Sequence, residues 1–339
     1  MAESFRVIIP VREPWPISDT LVEGWPSFVA ELDGMVLPAP IADGASEPVS
    51  LRWLGPDEVP EASVSIATRG NFIEWTYLEG SVTVDPPYER LTRIRDERDS
   101  RFDPRIEAQQ VVREDLWRFA FDLGIACTIA FPGIYSASRL YTEGPDGQMF
   151  SWSESETFHG SGPWEAQDVL GDPAWPRVGR LAVQDVWVWL SGLSGFFDGV
   201  PSGPGGRAVS ALSHVLQGSN AESLMHALLG LESLYCTSHT GLRQQLISRA
   251  ELVLGAPSSH KKLFGRVYDY RSKFIHGGSD LPLRYTPYDG SDRFMELHRE
   301  AHDAQCLATL VLVASIQALV SHSISEFVFR EEWVNGGSS

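Results

Sequence analysis

The spacing of apolar positions changes character near residue 103. Before it, residues 5–11, 63–68 and 72–78 are short runs of β-branched and aromatic residues that suit strands. Turn signals at Asp33-Gly34, Asp43-Gly44 and Gly55-Pro56 punctuate this Pro-rich stretch. Asp103 is a good helix N-cap and Pro104 suits a first helical turn. From there Val111, Leu116, Phe119, Leu123 and Ile125 follow helical spacing as far as Ile129, and Pro132-Gly133 stops the run. A hairpin is expected next, with residues 134–141 and 148–152 flanking the turn Gly144-Pro-Asp-Gly147. Residues 153–180 read as a linker of Gly, Pro, Ser and Trp.

After Leu181 the pattern is helical throughout. One helix is expected over residues 186–197 and a second around 209–216, closed by Gly218. Ser219-Asn-Ala-Glu222 fits a capping box opening a third, with Leu224, Leu228, Leu231 and Tyr235 on one face. Thr240 caps a fourth that ends at Gly255, with Pro257 beyond. Ser259 caps a fifth, with Leu263, Val267, Tyr270 and Phe274 as its apolar stripe, ended by Gly277-Gly278. A sixth spans 292–329. Six helices with short connections predict an antiparallel bundle. The expected fold class is therefore α+β. A β-rich N-terminal domain occupies residues 1–102, and a helix, hairpin and Gly/Pro/Trp-rich connector fill 103–178. An all-α bundle follows over 179–334.

The formal net charge is −18, unevenly spread. Residues 1–150 hold 25 acids against 13 bases, whereas residues 243–284 hold 8 bases against Glu251, Asp269 and Asp280. All three lysines, Lys261, Lys262 and Lys273, fall in that basic segment. So acidic a chain repels phosphate overall, which excludes non-specific coating of nucleic acid, but a local basic segment can still hold a few phosphates. Its structural counterpart is an ordinary solvated helix face.

Cys127, Cys236 and Cys306 are widely spaced, without the pairing of a disulfide framework or zinc ribbon. Pro10, Glu13, Pro14 and Pro16 interrupt the N-terminus, so no signal peptide is expected. The apolar stretch 307–320 is short for a bilayer and contains Thr309, Ser315 and Gln317, as a core helix would. A cytoplasmic protein, without membrane association, is the expectation.

His298, His302 and Cys306 are spaced four apart and would share a helix face, but Arg299 stands where HExxH needs glutamate, and no fourth ligand is evident. Gly203-Pro-Gly-Gly206 lacks the Lys and Ser/Thr of a phosphate loop and reads as a helix connector. Arginine followed by histidine after four to six residues occurs three times, as Arg207/His214, Arg271/His276 and Arg293/His298. Context singles out Arg271/His276, which close an amphipathic helix beside two glycines in the basic segment. A helix C-terminus attracts positive charge, which suits a histidine that must carry protons. Five residues apart, the two side chains diverge by about 140° on an ideal helix. They converge only if the helix unwinds or if a second subunit supplies the complement.

The segment Val267-Tyr-Asp-Tyr-Arg-Ser-Lys-Phe-Ile-His-Gly277 resembles the signature of the Apea-like branch of the HEPN superfamily, helical domains of prokaryotic phage-defence and toxin systems. Ala227-Leu-Leu-Gly-Leu-Glu232-Ser-Leu-Tyr and Leu246-Ile-Ser-Arg-Ala250 resemble that family's preceding helices, so the likeness covers roughly residues 180–330. It implies an HEPN-type bundle and metal-independent RNA cleavage at a homodimer interface, with no cofactor. Arg271 would hold the scissile phosphate, His276 would be general acid or base, and Ser272 would help orient the site. Lys262, Arg266, Tyr270 and Lys273 are the candidate RNA contacts. Two plainer alternatives stand beside this: a non-catalytic RNA-binding or dimerisation module, and an Arg271 that simply pairs with a carboxylate such as Glu232. The N-terminal half would then receive a trigger ligand or partner.

Overall fold

A computed structural model of the chain describes residues 2–13, 19–42, 45–60, 75–88, 103–137, 140–151, 163, 166, 170, 175–217, 220–238, 240–257, 261–278 and 292–330. The fold is α+β: an antiparallel six-stranded sheet in the N-terminal part and a set of packed helices after it. In chain order the described elements are β1 (Glu3–Arg12), α1 (Asp19–Leu32), β2 (Val36–Ile41), β3 (Ala45–Trp53), β4 (Trp75–Val84), α2 (Pro104–Ala130), β5 (Tyr141–Glu143) and β6 (Met149–Ser151). There follow α3 (Val183–Ser191), α4 (Gly203–Val215), α5 (Asn220–Tyr235), α6 (Leu242–Leu254), α7 (Lys261–Ile275) and α8 (Asp292–Ser321).

The sheet runs β2-β3-β4-β1-β5-β6. Its central strand β1 contains the expected run 5–11, and β4 takes up the C-terminal part of the run 72–78; the expected strand over 63–68 lies outside the described residues. The expected hairpin closes at Gly144–Gly147, but its strands pair only as Tyr141↔Ser151 to Glu143↔Met149, with Ala137 bridged singly to Val11. Because β5 pairs with β1, the sheet draws strands from both sides of residue 102. Strand alternation puts Phe5, Val7, Ile9 and Val11 in the main core, and Ile8 on the other face with Tyr77 and Tyr141. On that second face Arg6 bridges Glu79 and Glu143, and Arg52 bridges Glu79 and Glu58.

Helix α1 departs from the strand-like reading of the first hundred residues. Gly24 and Pro26 argue against a helix locally, yet α1 runs through both. Tertiary packing supplies the reason. Phe28 and Leu32 are fully buried, Trp25 stacks edge-on to Trp53, and the Trp53 indole donates to the Val29 carbonyl at 2.9 Å.

Helix α2 joins the two halves. Asp103 accepts a hydrogen bond from the Arg105 amide at 2.9 Å, with Pro104 at the first position, as the sequence predicts. Every residue from 122 to 130 is buried, because sheet and helical bundle both lie against this helix. Trp187 of α3 meets Phe119 edge-on at 5.3 Å and donates its indole N–H to the Pro38 carbonyl of β2 at 3.0 Å. Glu31 of α1 accepts from the Val183 amide at 2.5 Å and pairs with Arg180 at 3.1 Å. Gln317 of α8 donates to the carbonyls of Ile129 and Gly179 at 2.7 and 2.8 Å.

The helices mostly follow expectation, with shifted ends. α3 stops at Ser191, and the turns after it bury Leu193 and Phe196. Helix α4 takes in Gly203–Gly206, so that stretch is the start of a helix, packed with Gly205 against the Ser325 backbone. Helix α6 starts one residue after Gly241, its N-cap, instead of being capped by Thr240. The Ser219 and Ser259 caps lie outside the described residues. Helix α8 ends at Ser321, not near Phe329; Ser323 turns left-handed, and Phe327 stacks on Tyr235 at 5.7 Å. Gly230 lets α5 approach α8 closely, since a Cβ there would stand 2.8 Å from Leu312. The segment His302–Ser321 is long and apolar enough to cross a membrane by length and composition, but 83% of its window is buried inside the fold, as befits a core helix.

Two predictions follow from this arrangement. Trp187→Ala removes a fully buried indole and is expected to cost about 3–5 kcal/mol. Urea unfolding should remain one transition, seen equally by probes in the sheet and in the bundle. The second concerns Asp122, whose carboxyl burial pushes up to about 7 against the opposing pull of Arg118, 3.9 Å away. A raised folded-state pKa means the folded chain holds this proton more tightly than the unfolded chain. The contribution is full below about pH 4 and is lost as pH rises through about 7. Relative to wild type, Asp122→Asn should therefore gain roughly 2–3 kcal/mol between pH 5 and pH 8 in urea titrations.

Candidate functional site

Helix α7 carries the motif. Its inner side buries Phe264 and Val267, and Phe264 meets Trp175 edge-on at 5.1 Å. Leu263 and Tyr270 are partly buried against the same core, whereas the Phe274 side chain lies outside the described residues. At 100° per residue, Lys262, Arg266, Asp269, Lys273 and His276 fall within an arc of about 80° on the helix. Lys262, Arg266, Lys273 and His276 are all exposed. Asp269 within this stripe is paired with Arg243 of α6 at 3.2 Å. Lys273 also lies over the Tyr270 ring, 5.8 Å from its centre.

Arg271 falls on another side of the helix. Its Nε is 3.2 Å from Glu232 Oε1 and its Nη2 donates to Glu232 Oε2 at 3.3 Å, which ties α7 to α5. The Nε–Oε1 approach is an ion-pair contact without hydrogen-bond geometry, since both atoms are buried without a hydrogen-bond partner. The guanidinium also sits 5.4 Å from the Tyr268 ring centre. The anticipated carboxylate partner, Glu232, is thus in place. Burial pushes its pKa up and Arg271 pulls it back down. The neighbouring Cys236 thiol is pushed up to about 11 by burial and by Glu232, so it is protonated near neutrality and a poor nucleophile.

The helix does not unwind at its glycine end. The His276 amide donates to the Ser272 carbonyl at 3.1 Å and the Gly278 amide to the Lys273 carbonyl at 2.7 Å, while Gly277 has φ +68°. This is a Schellman closure with His276 as the last helical cap and glycine at the left-handed position. Consequently His276 and Arg271 keep their roughly 140° divergence. The structure brings together His276, Lys273 and the outer stripe, and it separates Arg271 from them. Ser272 is exposed beside this stripe. Sequence reasoning missed Tyr268 and Cys236 as neighbours of the Arg271–Glu232 pair; their positions three before Arg271 and four after Glu232 were the available signal.

Of the alternative metal group, His302 and Cys306 are placed near each other on α8. Cys306 Sγ lies 3.8 Å from His302 Nε2, and the side chain of His298 is outside the described residues. Among the described residues no three potential ligands come together. Comparison with protein-family models, curated proteins and solved structures returns no match for this chain.

The cap itself makes a testable statement. Gly277→Ala forces a side chain into the left-handed region and is expected to cost about 1 kcal/mol of stability. Fraying should be confined to the end of α7, visible as faster amide exchange at His276 and Gly278 with α5 unaffected.

Proposed function

We propose that this chain is a metal-independent endoribonuclease of HEPN type, acting as a homodimer in phage defence or a toxin system. The observation that carries the reading is the exposed His276 at the capped end of α7, on one face with Lys262, Arg266 and Lys273. That stripe gives an otherwise acidic molecule a local place for RNA phosphates. In the proposed reaction an imidazole takes the proton from a ribose 2′-OH, whose oxygen attacks the adjacent phosphorus. The bond from phosphorus to the 5′-oxygen breaks, and a second imidazole returns a proton to that oxygen. The products are a 2′,3′-cyclic phosphate and a 5′-hydroxyl.

One chain contributes one motif histidine, and its Arg271 faces away from it. A two-fold dimer supplies the second imidazole and brings Arg271 of one copy toward His276 of the other. Arg271, whose Nη1 makes no hydrogen bond or ion pair to a described residue, would hold the phosphoryl oxygens. The sheet half would relay any trigger ligand or partner through α2, because it shares a core with the bundle. The second reading, a non-catalytic RNA-binding or dimerisation module, is favoured by the Glu232 contact that already occupies two nitrogens of Arg271.

Incubation of a short RNA and its all-deoxy counterpart with the full chain in EDTA separates the two. Cleavage of the ribose strand alone, leaving a cyclic phosphate and a 5′-hydroxyl, is expected. His276→Ala should lower the rate by about 10²–10⁴. Arg271→Lys should also be poor, because an ammonium does not reproduce the guanidinium fork. Cleavage of the deoxy strand, or a 5′-phosphate on the product, overturns the mechanism. RNA binding without cleavage, weakened by Lys273→Ala, supports the second reading.

A further inference from the structure

We infer that Glu232 is a positioning residue for Arg271, a role that rests on the RNA-processing reading above. A guanidinium has two edges able to grip an oxyanion pair: one formed by Nε and an Nη, the other by the two Nη nitrogens. Glu232 lies along the first, 3.2 Å from Nε and 3.3 Å from Nη2. Nη1 and the second hydrogen of Nη2 are left as the donors available to a phosphate. The hydrogen bond through Nη2, with the ion-pair contact at Nε beside it, restricts the turning of the group more than a single contact would. Tyr268 adds a ring beside the guanidinium, 5.4 Å from its carbon.

Glu232 is carried by α5, which lies close against α8 at Gly230, and its side chain is only 15% exposed. The Arg271 side chain keeps 21% of its surface exposed, so the pair is not sealed from an incoming ligand. Pre-orientation of this kind spares the reaction the cost of ordering a long side chain when RNA arrives. A purely structural ion pair would share the distances but would be indifferent to RNA. A competitor for Arg271 would share them too, but its removal would improve binding.

The test uses the full chain, a cleavable RNA, and a 2′-O-methyl RNA of the same sequence that lacks the attacking hydroxyl. The Arg271 Nε–H resonance is assigned by its loss in Arg271→Lys. The 2′-O-methyl RNA should shift this resonance in wild type, and in Glu232→Gln and Glu232→Ala the resonance should move before RNA is added. With cleavable RNA, Glu232→Ala should lower kcat by about 10–100-fold with little change in KM, as for other residues that orient a working group. Glu232→Gln, which keeps one acceptor oxygen, should fall between it and wild type, and thermal melts identify any variant that has lost its fold. The Glu232→Ala/Arg271→Ala double variant should be no slower than Arg271→Ala alone. An Arg271 resonance unmoved by RNA, full multiplication of the two losses, or tighter binding by Glu232→Ala would each overturn the inference. If wild type cleaves nothing while RNA still shifts Arg271 in a Glu232-dependent way, the nuclease reading fails and the positioning role stands as one in binding.

Discussion

The second half of α2 is enclosed on all sides, and the architecture depends on that enclosure. Residues 122–130 are buried without exception, with the sheet on one side and the first helices of the bundle on another. Burying an indole such as Trp187 is worth about 4–6 kcal/mol of apolar transfer. Its N–H meets a carbonyl on β2, so the same residue is both packed and satisfied. The side chains of Glu31 and Gln317 then close the backbone groups that meet at this junction. A bundle cut away at residue 180 would expose Val183, Val186, Trp187 and Leu190, all now buried. The sheet and the bundle therefore share one core.

Electrostatics at α7 work on a smaller scale than the net charge of −18. The overall field disfavours polyanions, while the outer stripe of this helix offers a local exception. Arg243 offsets Asp269, the one acid in that stripe. The two halves of the motif are treated differently by the fold. His276 stands in solvent at a helix end held by the Gly277 turn, and Arg271 is drawn inward to Glu232. A group that shuttles protons needs access, and a group that holds a fixed charge gains from a fixed orientation. In the reaction proposed above, the exposed His276 would carry protons and the oriented Arg271 of a second copy would supply the fixed charge.

Much of this was legible from local signals. The Asp103-Pro104 cap, the hairpin turn at Gly144–Gly147, the helix stop at Gly277-Gly278 and the apolar stripe of α7 all depend on neighbours within a few residues. Backbone preference and capping determine such features, so the sequence states them directly. The α+β class followed from the same information, because strand and helix periods differ. Even the Arg271–Glu232 pairing was accessible, since two charged groups on facing amphipathic helices seldom stay unpaired when partly buried.

Other features required the tertiary structure because their causes are distant in the chain. Helix α1 persists through Gly24 and Pro26 because Trp25, Phe28 and Leu32 gain more from packing than the backbone loses. Strands β2 and β3, with Pro38, Pro40 and Pro48 among them, gave no alternating signal strong enough to stand out, yet they complete one side of the sheet. The union of β5 with β1 joins residues more than 130 apart, as Arg6 and Glu143 illustrate, and no local pattern encodes such a pairing. Sequence by itself determined the helical motif, its charge and its closing glycine, all set by short-range sterics and hydrogen bonding. Tertiary packing alone decided that α2 would bind sheet and bundle into one core, and that Arg271 would turn inward while His276 stayed out, because burial is settled by which surfaces meet.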